Sequence, residues 1–499
     1  MRMSAPTWAR RRYFCRRAAL LVTLGLLGAA AAMAEPRPAS PAIPKAHFSL
    51  SQEALAQRAL QVPVGGKFRL VGVPIEARTV ALALERFDVF TPDALVEVHE
   101  PGGARLVAPP QRAWFRGTVA EEPESLVFLA AGAGSVHGLI LSRERLHVFG
   151  GEPETASLRE SMVVRAFEET AAKTRSKPWT CELDKITSAG GEEDLRALFD
   201  QSLEVVTAPA TAQYSVTISV ETDYEFYAMW GSVDAAASYA GDLFGAISTI
   251  YHRDVATTLR INRLSLWTGG ASSDPWTATT SGTALCQVGG WWATNRPKAQ
   301  YPRSLVHFLS SKNLGGGIAW LNVVCADNFS HSYCSTGMGG GYGVTGNIDG
   351  SFNPSFPTSV WDIVATAHEI GHNFSSPHSH CYAGYPSAGF TEVDRCWGTE
   401  GGCYSGSTGL PVGGQGSIMS YCHQIGGMSV IALSFGSAGL YGTQSERIPQ
   451  RMKNYIGGLS SSCRRVLDAP PADFNGDGRS DVTIYRNGAW LEFPAWPQN

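Results

Sequence analysis

Apolar residues in the first third of the chain recur at every second position, in short runs separated by Gly, Pro and charged residues. The segments GKFRLVGV, TVALALERFDVF, LVEVHEPGGARLVA, SLVFLAAGAGSVHGLILS and RLHVFGG carry this pattern, which predicts a β-rich region over residues 35–190. SAGGEEDLRALFDQS and TAPATAQ break it with polar and small residues, predicting a linker or processing region at 191–212. From residue 213 the pattern is mixed. YSVTISVETD alternates as a strand, Tyr239, Leu243, Ile247 and Ile250 recur at helical spacing, and TLRINRLSLW alternates again; SLVHFLSS and GIAWLNVV read as two further strands. Strand, helix and strand in that order predict an α/β sheet. A Gly-rich section then leads to a second helix, from Val360 to about Phe374, with Ser359 and Asp362 spaced as a capping box.

The amino terminus differs in kind. Residues 1–34 hold six Arg and no acid, with an apolar run from Ala18 to Ala32 and a small-x-small ending at Ala32-Met33-Ala34. That order predicts a secretory signal cleaved after Ala34, the run being too short to span a membrane. Arg11-Arg12-Tyr13-Phe14 leaves a twin-arginine export route open beside the general one. The 499 residues correspond to about three structural units, and 44% hydrophobic content excludes global disorder. Loss of the signal would leave 34 basic against 44 acidic residues, with no basic stripe for phosphates, which argues against nucleic acid as a partner. No later apolar run has the length of a membrane span.

Export gives the cysteines an oxidising compartment. Cys15 leaves with the signal and nine remain, eight of them between Cys286 and Cys463, enough for up to four disulfides of unread connectivity. Cys181 stands apart.

The chemistry concentrates in AHEIGHNFSSPHSH. His368 and His372 lie one helical turn apart on one face, ~6 Å along the axis, so two imidazoles can reach one ion. Zinc suits such ligands, and Glu369 beside the first can act as general base toward a water. His378 follows six residues after His372, beyond a Pro and small polar residues that end the helix and return the chain. His380, two residues further on, and Glu392, in a Pro- and Gly-flanked stretch, are rival third ligands.

This spacing resembles the metzincin pattern H-E-x-x-H-x-x-G-x-x-H, with Ser375 where the family has Gly. Met419, in GSIMSYCH forty-one residues after His378, stands where the family has its Met-turn. HEIGHNFSSPH, LFGAISTIYHRDV and GGGIAWLNVVC are most similar to the adamalysin or reprolysin-like branch, which has secreted bacterial members, and the resemblance covers about half of the chain, from Tyr214 through Cys422. It implies an α/β catalytic domain over residues 213–466, with a mixed twisted sheet and an active-site helix. The activity implied is that of a zinc endopeptidase made as a zymogen. His368, His372 and His378 would bind the metal, Glu369 would act as base, and a protein or peptide substrate would lie extended along an edge strand. Residues 35–190 would be a propeptide that inhibits its own enzyme. Family prosegments place a thiolate on the zinc, which gives Cys181 in SKPWTCELD the role of a zymogen switch, against the plainer reading of a structural thiol. Tyr421 matches a position where other metzincin branches support the oxyanion, although its neighbour Cys422 favours a packed structural role.

Asp473, Asn475, Asp477 and Asp481 alternate around Gly in DFNGDGRSD, oxygen ligands suited to calcium. Ile484 occupies the twelfth loop position, which excludes an EF-hand; residues 467–499 resemble one partial FG-GAP-type repeat, with a polar turn before a hairpin as the simpler reading. Two non-enzymatic readings remain beside the peptidase: a secreted binding or adhesion protein on a disabled metzincin scaffold, and a closed structural zinc site.

Overall fold

The computed structural model describes residues 47–132, 135–151, 161–171, 179–183, 186, 213–334, 338–460, 462–463, 465–466, 482–486 and 489–493. The predicted signal (1–34), the linker (191–212) and the calcium-loop residues Asp473, Asn475, Asp477 and Asp481 lie outside them.

Alternation in the N-terminal region becomes ten strands: β1 (His47–Ser51), β2 (Lys67–Ile75), β3 (Arg78–Phe87), β4 (Phe90–Glu100), β5 (Gly103–Val107), β6 (Ala113–Val119), β7 (Glu122–Gly132), β8 (Ser135–Ser142), β9 (Arg145–Gly151) and β10 (Ser161–Ala166). Helix α1 (Gln52–Gln61), which the alternation does not announce, begins where the Ser51 side chain accepts from Ala54 N, and α2 (Phe167–Ala171) follows β10. Eight of these strands form one antiparallel sheet in the order β1-β10-β9-β8-β7-β6-β3-β2. One face of it packs on α1 through Leu82, Phe115, Leu129 and Ile140.

β4 and β5 leave that sheet. They join β11 (Thr180–Cys181), β12 (Tyr214–Thr222), β13 (Thr257–Trp267), β14 (Leu305–Leu309), β15 (Gly316–Ala319) and β16 (Tyr342–Thr345) in the order β11-β15-β16-β14-β12-β13-β4-β5, while β17 (Arg465–Val466) pairs with β12. The pairings β13–β12, β12–β14 and β14–β16 are parallel and β15–β16 is antiparallel, so the sheet is mixed, as the strand–helix–strand order predicts. The two regions read separately from the sequence thus contribute strands to one sheet.

Helices cover it. α3 (Tyr224–Trp230) precedes α4 (Val233–Val255), which starts where the Ser232 side chain accepts from Ala235 N, and α5 (Ser281–Asn295) carries a Thr280–Thr283 capping box. Tyr239, Leu243, Ile247 and Ile250 of α4 are buried, as their spacing predicts. α6 (Ser359–Asn373) lies in the same core, and α7 (His423–Gly426) and α8 (Arg447–Gly458) follow. The expected capping box at Ser359 does not form. The cap is Thr358, without a side-chain hydrogen bond, and Asp362 instead accepts from Gly350 N at 2.8 Å, Asp349 N at 3.2 Å and the Tyr239 hydroxyl. The buried Asp362 carboxylate needs donors, and the backbone N–H groups of the preceding Gly-containing loop supply them.

Four disulfides, Cys286–Cys334, Cys325–Cys463, Cys381–Cys403 and Cys396–Cys422, use all eight clustered cysteines, and Cys181 is free and buried. β18 (Val482–Arg486) and β19 (Ala489–Phe493) pair antiparallel with each other. Among the described residues no helix is long and apolar enough to cross a membrane.

Candidate metal centre

Helix α6 brings His368 and His372 to one face, where their Nε2 atoms stand 3.1 Å apart. The helix ends at Phe374, and Ser375 turns the chain with φ 78°. A non-Gly residue there costs on the order of 1 kcal/mol. The buried Arg451 holds the turn, its Nε donating to both the carbonyl oxygen and the hydroxyl of Ser375. The chain then returns to place His378 against the other two, with ring centroids 4.8 Å from His372 and 5.2 Å from His368.

Each imidazole is fixed through Nδ1. That atom of His368 donates to Ile418 O at 2.8 Å and that of His372 to Ser376 O at 2.7 Å. A carbonyl only accepts, so both protons sit on Nδ1 and both Nε2 atoms present lone pairs. Two lone pairs 3.1 Å apart cannot satisfy each other. His378 places Nδ1 on Glu400 Oε2 at 2.7 Å, and its buried Nε2 has no hydrogen-bond partner. Burial, with the neighbouring imidazoles adding to it, pushes His368 well below the ordinary range and His372 down to about 3, so these rings stay neutral. Converging neutral donors with an orphaned Nε2 are what a zinc ion requires, and the residues fit it.

Cys181 completes the cluster. Its Sγ and one ring nitrogen from each of His368, His372 and His378 all lie within 4.8 Å of one another. His380 and Glu392 are not in this group. His380 places Nε2 on Glu400 Oε2 at 2.7 Å, and Glu392 accepts from Arg395. Burial would raise the Glu400 carboxyl, but the His378 and His380 imidazoles outweigh it and hold it well below the usual range.

Glu369 stands beside the cluster. Its Oε2 lies 3.4 Å from Cys181 Sγ, Oε1 has no partner, and burial raises its carboxyl well above the usual range. Its place depends on Gly317 in β15, where an added Cβ would come 2.3 Å from Glu369 Oε1. Burial and the nearby Glu369 raise the Cys181 thiol as well; a bound cation reverses that preference. Met419 is fully buried beneath α6, where a Cβ on Gly371 would meet its Sδ at 2.6 Å. The Met419 carbonyl accepts from Ser379 N at 3.0 Å, tying this turn to the residue after His378.

The Trp179–Cys181 stretch packs against the His cluster. β11 pairs in parallel with the edge strand β15, Thr180 opposite Gly316 and Cys181 opposite Gly317. Trp179 stands edge-on to His368 at 4.8 Å, and Tyr421 donates its hydroxyl to Cys181 O at 2.7 Å. Tyr421 therefore bonds to the backbone of the residue that completes the cluster, where packing alone was the favoured expectation.

The sequence model described as Metallo-peptidase family M12 (Reprolysin_5) matches residues 212–430, which hold every metal-cluster residue except Cys181. This segment is reprolysin-like. A solved structure titled as metalloproteinase-II from Bacteroides fragilis is similar to the chain at 10% identity and a TM-score of 0.36, over 66% of this chain and 86% of that one. No curated protein matches. Outside the reprolysin-like segment, sequence reading singled out Cys181 but missed Trp179 beside it; inside, it missed Glu400, Gly317 and Asp362's actual partners. Glu400 lies three residues before Cys403, and only the unread Cys381–Cys403 pairing would have brought it to His378.

Proposed function

We propose that the protein is a secreted zinc-dependent endopeptidase held latent by Cys181. The observation that carries this reading is the convergence of His368, His372 and His378 beside the buried Glu369, within a segment matching a metallopeptidase family. The four disulfides suit an oxidising compartment.

Zinc, held by the three His, would supply Lewis acidity toward the scissile carbonyl and lower the pKa of a water. The chain's own groups do the rest. Glu369 takes a proton from the attacking water at Oε1 and returns it to the leaving amine, so no acyl-enzyme forms. β15 offers its backbone to an extended substrate once the Trp179–Cys181 stretch has left. Tyr421 then turns to the substrate carbonyl the hydroxyl it now gives to Cys181 O. Latency would follow from occupancy, with Cys181 Sγ, within 4.8 Å of a ring nitrogen of each His, taking the ligand position that a water would otherwise fill.

Glu369→Ala is the direct test. The processed variant should bind one zinc per chain yet lose peptide hydrolysis by about 10²–10⁴-fold, the usual contribution of a general base. Hydrolysis retained with zinc bound overturns the assignment.

A further inference from the structure

We propose that residues 47–171 are not shed on activation but remain as a structural half of the active enzyme, so that only the Trp179–Glu182 stretch leaves the cleft. The part of this concerning the cleft rests on the latency reading above; the rest stands on the contacts between the two regions.

The first of these is the shared sheet. β4 lies parallel to β13, Leu95–His99 opposite Arg263–Trp267, and Ile261 N donates to Val89 O at 2.8 Å. Without β4, β13 would present an unpaired edge carrying the buried Ile261, Leu264 and Leu266. The second is a pair of buried carboxylates, one on each side. Glu97 of β4 accepts from Arg263 at 2.7 Å and Arg296 at 2.6 Å. Asp242 of α4 accepts from Arg112 Nε and Trp114 Nε1, each at 2.8 Å, with His137 Nε2 also 2.8 Å away. Departure of residues 47–171 would strand Asp242 without these three partners and leave both guanidiniums without Glu97.

The third contact is steric. Gly241 and Gly245 lie inside α4, where glycine is unfavourable. A Cβ at Gly241 would come 2.8 Å from the Trp114 ring, and one at Gly245 2.8 Å from the Phe128 ring. The helix lacks side chains just where aromatics of the other region lie against its backbone. Phe90, Trp114, Phe128 and Leu139 accordingly share one hydrophobic core with Leu243, Ile247 and Ile261. By contrast, the Trp179–Cys181 stretch is held by residues outside 47–171, through two pairings with β15, the Tyr421 hydroxyl, the Gln424 amide and the His368 ring. Release of the cleft and release of the whole region are therefore separable events.

The test uses the full chain with a site-specific protease sequence inserted between residues 191 and 212. After complete cutting, both fragments should co-elute in native size-exclusion chromatography at the size of the uncut chain and separate only in denaturant. Elution of the N-terminal fragment by itself in native buffer overturns the proposal. Glu97→Gln, which keeps the side chain's shape, should lower the urea concentration at which the cut fragments part; an unchanged midpoint contradicts the role given to the interface. Cut Cys181→Ala protein separates this proposal from the peptidase reading. One peak without chelator-sensitive hydrolysis leaves the structural half standing and removes the peptidase, whereas hydrolysis by an isolated C-terminal fragment does the reverse.

Discussion

Glu400 is the residue whose placement explains most about the metal centre. A single carboxylate oxygen accepts from both His378 Nδ1 and His380 Nε2, each at 2.7 Å, so it fixes the orientation of the third His and makes that ring a stronger donor. Glu400→Gln keeps the size and an acceptor but removes the charge. Zinc affinity, measured by chelator competition, should fall about 10–100-fold; an unchanged affinity would mean that the contact does no more than pack. His307 gives the pH-dependent counterpart away from the centre. Its ring is buried in β14, and burial holds its pKa at about 3 against an ordinary 6.5. The unfolded chain takes up this proton below pH ~6.5 while the folded chain does not, so the contribution of the neutral ring is intact above that pH and is lost on acidification toward 3. The stability difference between wild type and His307→Gln should shift against wild type by up to ~1.4 kcal/mol per pH unit below 6.5. Urea unfolding at pH 7, 6 and 5 checks this, and a constant difference contradicts it.

At the scale of elements, α6 and the β15 edge act together. The four-residue spacing of His368 and His372 is legible in the sequence because helical period alone sets their common face. Ser375 at a family Gly position points to a turn of positive φ, and the turn has φ 78°. The partner that steadies it, Arg451, comes from α8, 76 residues later, and no local signal links them. The Ser359–Asp362 spacing misled for the complementary reason: a capping box presumes an exposed helix start, while Asp362 is buried and claimed by a loop. Gly317 shows what only the edge strand can dictate. Gly317→Ala places a methyl group where the Glu369 carboxylate lies, and the two cannot coexist. Turnover of the processed enzyme should drop at least tenfold with zinc content unchanged, because the base moves and the ligands do not; full turnover would show that Glu369 has another productive position.

Over the whole molecule, the alternation of β4 announces a strand but not its sheet. β3 and β6, which flank the β4–β5 pair in sequence, pair with each other, and β4 crosses to β13 more than 160 residues away. Such pairing depends on Glu97 meeting Arg263 and Arg296 and on the glycines of α4 meeting Trp114 and Phe128, coincidences that a periodic pattern does not encode. The disulfide map was closed to reading for the same reason, although the count that set Cys181 aside matches its free thiol. On the proposal made above, residues 47–171 and the segment carrying the metal cluster act as one sheet-sharing body, and Trp179–Cys181 is its short, separable occupant.

Metal-free Cys181→Ala protein, titrated with zinc while hydrolysis of an unfolded protein substrate is followed, tests the central claim most directly. Hydrolysis should rise with added zinc, reach its plateau at one equivalent per chain and vanish on chelation, while the same titration of Cys181-containing uncut protein stays low. Hydrolysis that is indifferent to zinc and chelator, or none at one bound equivalent, would contradict the account.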